Sequence, residues 1–362
     1  MHGVEFIKNN QASGSVADKI LANRGDLSTL RPWVGRDGRN YVAVRTGNND
    51  DGSPKYDAIT TNAPATLRKD EWIRMDEAVV RAGRAQLRLV DDLNAMGLTY
   101  GGFDGMAVTV IQHQSMTDAG EADLSMDGLR KGRRDRPIFD IVNLPLPIAH
   151  ADFHFSLREI MVSRNGGPPL DTTMAEQSSR KVMELIEKLT VGSLPTYSYG
   201  GGTIYGLMNH PQRLTKTITA PTAGGWTAAA TIVQILDMIQ KLQDKFFNGP
   251  YGVYLSSNWT QYLDNDYNVN YSGETLRTRL AKIADIRFVR KLDYLPSGAT
   301  FTLIVVQLSS DVIQMVNGMA LTNLEWDSHG GLQKNFKIMA IQVPRLRTNT
   351  DLNIGINHGS GS

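Results

Sequence analysis

The stretch GPYGVYLSSNWTQYL, residues 249–263, predicts a strand that leads through a turn into a short helix. A helix beginning at Gly225 precedes it, apolar on most of its circumference, which is typical of a buried element. Downstream, residues 274–286 predict another helix and residues 286–292 a strand. The apolar run ATFTLIVVQLS, residues 299–309, predicts a strand covered on both faces. This half of the chain therefore mixes helices and strands without regular alternation.

The composition is that of a folded protein. The chain has 362 residues, of which 41% are hydrophobic and 21% charged, and its net charge is +1. This balance argues against whole-chain disorder and against a dedicated nucleic-acid binder, which usually carries a strong basic excess. The absence of cysteine excludes disulfides, thiolate metal sites and cysteine nucleophiles. The amino terminus lacks the apolar core of a signal peptide and no run reaches the length of a membrane span, so we expect a cytoplasmic protein.

Two further helices have clear sequence signals. The first is predicted as one continuous helix from an N-cap at Thr66 to a stop near Gly97. The second begins at Asp171 or Thr172 and ends at Gly192. Its predicted apolar stripe consists of Val182, Leu185, Ile186 and Leu189. Extended segments close the chain over residues 334–357, and the class is α+β.

Two long segments are poor in apolar residues. In residues 1–66 only NYVAV, residues 40–44, predicts a strand, so we expect this segment to be disordered or laid over something else, such as a neighbouring subunit. Residues 113–148 lie between extended segments and predict a two-stranded hairpin that projects from the body. An isolated hairpin is marginally stable in water, so we expect it to lie on another surface.

The tip of that arm carries the strongest local signal, the stretch GLRKGRRDRP at residues 128–137. A solvated loop, a targeting signal, a nucleic-acid grip and a contact with a neighbouring subunit are the open interpretations. Base stacking is disfavoured because no aromatic residues interleave with the cations. We hypothesise a contact between subunits, through paired arginines that hold acids of the next copy. The contact residues would be Arg130, Lys131, Arg133, Arg134 and Arg136.

Chemical motifs are weak. His150, Asp152 and His154 share one face of a predicted strand and are legitimate metal ligands, although a polar outer face with Phe153 and Phe155 turned inward explains them better. Ser178 and Lys181 have serine–lysine spacing without partner motifs. The glycines of residues 199–206 do not fit a nucleotide loop, and residues 263–268 form only part of a calcium loop. We therefore predict no enzyme, no cofactor and no metal.

The order of elements resembles the major capsid proteins of tailed bacteriophages and the related encapsulin shell proteins. Three stretches carry the resemblance. EWIRMDEAVVRAGRAQL, residues 71–87, is similar to the encapsulin amino-terminal helix. IAHADFHFSLREI, residues 148–160, is similar to the strand after the extended loop. The opening stretch, residues 249–263, is similar to the Gly-Pro-Tyr strand and helix of the axial domain.

The resemblance implies an α+β capsid fold with peripheral and axial domains, an extended loop and a long N-terminal arm. The implied divisions are an arm at 1–66, a peripheral part at 67–112, an extended loop at 113–148, a second peripheral part at 149–223 with a spine helix at 172–191, an axial domain at 224–335 and return strands with a tail at 336–362.

The resemblance also implies a function. The expectation is a major capsid protein that forms hexamers and pentamers of an icosahedral virion shell around double-stranded DNA, bound without sequence specificity. Portal, scaffolding and decoration proteins are its expected partners, and assembly would occur in the bacterial host cytoplasm. The arm of about 66 residues favours a phage capsid over an encapsulin enclosing an enzyme cargo. A metal-dependent enzyme around His150 is the third alternative, and a loop lysine such as Lys131 leaves covalent cross-linking open.

Overall fold

A computed structural model describes residues 32–48, 54–60, 67–84, 88–116, 126, 139–164, 172–266, 273–349 and 351–361. The α-helices in these ranges are α1 Lys69–Arg84, α2 Leu89–Ala95, α3 Leu157–Arg164, α4 Thr173–Val191, α5 Ala228–Gln243, α6 Thr260–Asp264 and α7 Leu276–Ala281. The strands are β1 Trp33–Val34, β2 Asn40–Asn48, β3 Pro54–Thr60, β4 Thr99–Tyr100, β5 Val110–Met116, β6 Phe139–Pro145, β7 Ala149–Ser156, β8 Tyr197–Tyr199, β9 Gly202–Ile204, β10 Leu214–Thr217, β11 Tyr251–Ser256, β12 Ile286–Leu292, β13 Phe301–Gln307, β14 Ile313–Ser328, β15 Gln333–Leu346 and β16 Ile356–Gly361. No helix of the described ranges is long and apolar enough to cross a membrane.

The opening stretch contributes an interior strand, β11, to a five-stranded mixed sheet. Its order is β10-β16-β13-β11-β12, with β11 between the antiparallel β13 and the parallel β12. Every residue of β11 is buried, and so are six of the seven residues of β13, which confirms the prediction of a strand covered on both faces. Trp259 follows β11 and packs edge-on against Phe301, so the predicted strand–turn–helix anchors this sheet.

A second sheet has the order β4-β14-β15-β7. Phe153 and Phe155 point from β7 into the core, where Phe153 stacks on Phe336 of β15 at 5.2 Å between ring centroids. Trp72 of α1 packs edge-on against Phe336, with 5.9 Å between ring centroids. The period-2 alternation of β7 therefore separates a buried aromatic face from an exposed polar face, as the sequence predicted.

The predicted first helix is wrong in one respect, because the structure has two helices, α1 and α2, where one was expected. The start of α2 is set by a distant side chain. The Glu187 carboxylate accepts backbone N–H groups of Arg88, Leu89 and Val90 at 3.3, 2.8 and 3.4 Å. These donors have no helical partner of their own, so the carboxylate from α4 serves as the cap of α2. Burial raises the pKa of Glu187, opposed by these three donors.

Helix α4 confirms the prediction at its carboxyl end, where Gly192 adopts a left-handed conformation with φ of 86°. Its stripe was predicted in part incorrectly, since Leu185 is exposed while Met183 and Glu187 are buried. The N-cap Thr172 makes no side-chain capping bond, and Asp171 lies outside the described residues. The helix packs against α1, β7 and β15.

The amino-terminal segment holds more structure than predicted. Strand β2 pairs with both β1 and β3 in a three-stranded antiparallel sheet, of which only residues 40–44 were expected. The Val34 backbone N–H donates to the Leu67 carbonyl oxygen at 3.1 Å. Trp33 packs against the larger of the two hydrophobic clusters, the one that contains Trp72 and Phe336. The expectation that all of residues 1–66 need a neighbour for order is therefore wrong for β1 to β3, because the β1–β2 turn and a bond to the body hold them. Residues 1–31 lie outside the described ranges.

Helix α5 is also less buried than predicted. Thr227 caps it by accepting the Ala230 backbone N–H at 3.2 Å, and its buried side faces the five-stranded sheet. The opposite side includes Val233 and Leu236, which are 65% and 43% exposed. An apolar circumference therefore did not mean complete burial here.

The peripheral and axial division stays a prediction, although the sheets place one boundary differently. Strands β14 and β15 form one long antiparallel hairpin in the four-stranded sheet, and the predicted boundary at 335/336 falls inside β15. Strand β16 then returns to the five-stranded sheet beside β13. The chain thus passes from one sheet to the other and back again.

Candidate assembly surfaces

The projecting arm has a defined base. Strands β5 and β6 pair antiparallel from Val110–Pro145 to Met116–Phe139, which confirms the predicted two-stranded hairpin. Its inner residues join a second apolar cluster, made of Leu144, Leu146, Ile204, Val316, Met319, Met339, Ile341 and Val343. Toward the tip the apolar residues emerge, with Ile141 57% and Val142 41% exposed. The hairpin therefore starts in the body and leaves it with apolar side chains uncovered.

The hairpin's direction is fixed by a close backbone approach. The β8–β9 turn lies against β6, and Asn143 donates its side-chain N–H to the Gly200 carbonyl at 3.0 Å. A Cβ on Gly202 would lie 2.1 Å from the Asn143 carbonyl oxygen. Only glycine fits there, so the glycine-rich stretch is a brace for the hairpin and not a nucleotide loop.

The predicted contact residues Arg130, Lys131, Arg133, Arg134 and Arg136 lie outside the described residues. Strand β5 ends at Met116 on one side of them, and strand β6 begins at Phe139 on the other. Their role in binding a neighbouring subunit stays a prediction.

The outward side of α5, formed by Ala229, Val233 and Leu236, is a second candidate surface. Phe246, just beyond the helix, is 82% exposed with a positive φ of 65°. Apolar side chains grouped on one side of a helix are typical of a contact with another protein.

A third feature was missed by the sequence interpretation. Arg345 of β15 is only 8% exposed, and its guanidinium lies over the Tyr100 ring at 4.9 Å. His113 of β5 lies near it: burial lowers the pKa of His113 to about 4, with smaller contributions from Arg345 and Arg347. The signal was present in the sequence, because Arg345 continues the inward alternation of Met339, Ile341 and Val343.

The predicted metal ligands lie on the exposed face of β7. His150 Nδ1 is 3.6 Å from Asp152 Oδ1, and the Lys337 ammonium is 3.5 Å from the other oxygen of Asp152. The cation engages the carboxylate that a metal would need. Within the described residues no group of three histidines or carboxylates could hold a metal ion.

The other motifs have structural explanations. Lys181 donates to Glu184 at 3.1 Å, on the exposed part of α4. Asp264 accepts two bonds from the Arg277 guanidinium, at 2.7 and 3.1 Å, and so joins α6 to α7. Neither arrangement offers an activated nucleophile or a calcium loop.

The chain is similar in sequence to one protein family and to a curated shell protein. A family model described as a family of unknown function, DUF6260, matches residues 62–329. The chain belongs to the DUF6260 family. Among curated proteins, the type 1 encapsulin shell protein EncA of Myxococcus xanthus (strain DK1622) is 26% identical over 207 residues, covering 54% of this chain. The match spans 63% of the EncA length.

Solved structures define the fold of this DUF6260 chain. A virus-like particle from Pyrococcus furiosus gives a TM-score of 0.57 at 13% identity, over 79% of this chain and 98% of that one. The capsid of the Myoviridae phage XM1 gives 0.57 at 14% identity, over 74% and 91%. The capsid of a native GTA particle gives 0.53 at 12% identity, over 76% and 91%. The fold is the α+β capsid fold of tailed phages and encapsulins.

Proposed function

We propose that this chain is a major capsid protein, a structural subunit that assembles into an icosahedral shell around double-stranded DNA of a tailed bacteriophage. The observation that carries the proposal is the capsid fold. It is combined with a braced hairpin and with helix α5, both of which expose apolar side chains. Repeated contacts between unlike edges close into rings, so hexamers and pentamers can tile a shell. Several weak contacts per subunit acting together would make the shell stable.

The charge balance agrees with this role. An inner surface that bound phosphate tightly would oppose the packing and release of DNA, and the chain carries a net charge of only +1. DNA would be enclosed without sequence recognition, and portal, scaffolding and decoration proteins would be the further partners. The location would be the virion, after assembly in the host cytoplasm. A catalytic role is not part of the proposal.

An encapsulin shell enclosing an enzyme cargo is the second candidate, favoured by the 26% identity to EncA. The phage alternative is supported by the long polar segment at residues 1–66, an arm of the kind that phage capsid proteins extend over their neighbours. Purified particles distinguish the two by their contents. Nuclease-protected DNA in particles from phage-producing cells supports a capsid, whereas a co-purifying protein cargo with no DNA contradicts it.

The basic run gives the first test of a contact between subunits. We expect Arg133→Glu combined with Arg134→Glu to leave the subunit soluble and folded but to impair shell formation, because paired acids of a neighbour would then meet like charges. Circular dichroism measures folding and electron microscopy measures shells. Normal shells from this double variant would refute the contact.

The outward side of α5 gives a second test. We expect Leu236→Glu to raise the protein concentration needed for half-maximal assembly by about tenfold or more, since a buried apolar contact would be replaced by an uncompensated charge. Gln261→Glu, which adds the same charge at an exposed polar residue of α6 away from this side of α5, is the matched control. Light scattering follows assembly, and equal assembly of the two variants would contradict a role for this side of α5.

A further inference from the structure

Arg345 occupies an unusual position at the end of the second apolar cluster. Alternate residues of β15 face that cluster, in the order Met339, Ile341 and Val343. Arg345 takes the next position in the row, and only 8% of its surface is exposed. A cation at the end of an apolar row normally needs a carboxylate partner.

No such partner is present in the described part of the chain. The Nη1 atom of Arg345 lies 3.4 Å from Gln314 Oε1, and its Nε atom is buried without a hydrogen-bond acceptor. The Tyr100 ring covers one face of the guanidinium. A neutral amide and an aromatic ring compensate a buried charge only in part, so the guanidinium retains unused hydrogen-bonding capacity.

The side chains around Arg345 also provide little negative charge. His113 Nδ1, on the inner face of the hairpin, is buried without a partner. The Arg347 Nη1 atom is 3.8 Å from Asp311, whose side chain is largely exposed. Arg345 and Arg347 both lie within electrostatic range of His113, so three nitrogen-bearing side chains lie near the base of the hairpin, with one loosely placed acid beside Arg347. We call Arg345, Arg347 and His113 the anion seat.

We propose that the anion seat receives a carboxylate side chain of a second copy of this chain. The proposal rests on the shell function proposed above. A planar guanidinium with a free edge suits a two-oxygen carboxylate. Nucleic acid is disfavoured because Arg345 is recessed and already covers the face of Tyr100, the aromatic ring beside it.

The seat would couple assembly to the direction of the hairpin. His113 belongs to β5, whereas Arg345 lies in β15 and Arg347 directly follows it, so one bound carboxylate would bridge the hairpin and the body. A neighbouring subunit would thereby fix the hairpin in its assembled direction while it satisfies a buried charge.

The first experiment uses the unassembled subunit and sodium acetate as the probe. We expect acetate, compared with chloride at equal ionic strength, to raise the melting temperature of the unsubstituted chain by a few degrees. Arg345→Met should abolish this rise. Without acetate, Arg345→Met should melt no lower than the unsubstituted chain, because an unpaired buried charge has been replaced by an apolar side chain of similar length. Arg287→Met, at an exposed arginine of β12, is the matched control.

The second experiment measures assembly. Arg345→Met should raise the concentration for half-maximal assembly by about tenfold or more, while Arg287→Met should not change it. Two results would overturn the proposed anion seat and leave the shell function intact. One is normal assembly of Arg345→Met, and the other is an equal rise in melting temperature with acetate for Arg345→Met and the unsubstituted chain. An acetate response in a chain that never forms shells would reject a second copy as the source. Binding of an oligonucleotide that Arg345→Met abolishes without changing assembly would point to nucleic acid instead and overturn the proposal.

Discussion

Replacing Glu187 with alanine is expected to lower the free energy of unfolding by about 3 kcal/mol or more. The carboxylate accepts three backbone N–H groups at the start of α2, two of them on the fully buried Leu89 and Val90. Alanine would leave those donors buried without acceptors, and each unsatisfied group costs about 1–3 kcal/mol. Urea denaturation measures the loss.

Glu184→Ala is the matched control for this variant. Glu184 lies one turn earlier on α4 and pairs with Arg180 and Lys181, two largely exposed cations that water can solvate when the carboxylate is removed, so its loss should cost under about 1 kcal/mol. Similar losses for Glu184→Ala and Glu187→Ala would contradict the capping role. Glu187→Gln keeps one acceptor oxygen and should give an intermediate loss.

The substitution Gly202→Ala is expected to displace the projecting hairpin and to prevent regular shells. The new Cβ would lie 2.1 Å from the Asn143 carbonyl oxygen and 2.6 Å from its carbon, and backbone cannot move aside as a flexible side chain can. Overpacking of this kind costs about 1–3 kcal/mol even where the chain adjusts. Urea denaturation and electron microscopy of the particles measure both effects.

Gly224→Ala is the control for the glycine test. No atom lies within 4 Å of a Cβ added at Gly224, so stability and assembly should stay as they are. Shells of normal size from Gly202→Ala would show that the brace between β6 and the β8–β9 turn does not direct the hairpin.

Local patterns predicted the parts of the fold that local forces determine. The predictions for β13 and β7 are confirmed. A strand buried on both faces has a continuous apolar sequence, and a strand buried on one face alternates apolar and polar residues. Gly192 ended α4 as expected, since only glycine takes a left-handed conformation without strain.

Elements that depend on distant residues could not be predicted in this way. The division between α1 and α2 depends on Glu187, 98 positions from Leu89 along the chain. Strand β14 was missed because register shifts near Met319 interrupt its alternation. The sequence predicted that α5 is buried all round, because an exposed apolar side has the same composition as a core.

The candidate surfaces show the same limit. The hairpin was predicted from its flanking strands. The bracing role of Gly202 was not predicted, because the sequence showed only that the glycines of residues 199–206 do not fit a nucleotide loop. The alternation places Arg345 on the inner face of β15, but only the fold shows that, within the described ranges, its guanidinium lacks a carboxylate partner. Its unpaired burial is a tertiary property.

The most direct test of the central claim, that this chain is a shell subunit, is sedimentation velocity of the purified chain followed by electron microscopy of the fastest fraction. The account predicts closed particles of uniform size that sediment far faster than the 39.9 kDa subunit. A subunit that remains monomeric at high protein concentration, with α5 and the hairpin exposed to solvent, would contradict it.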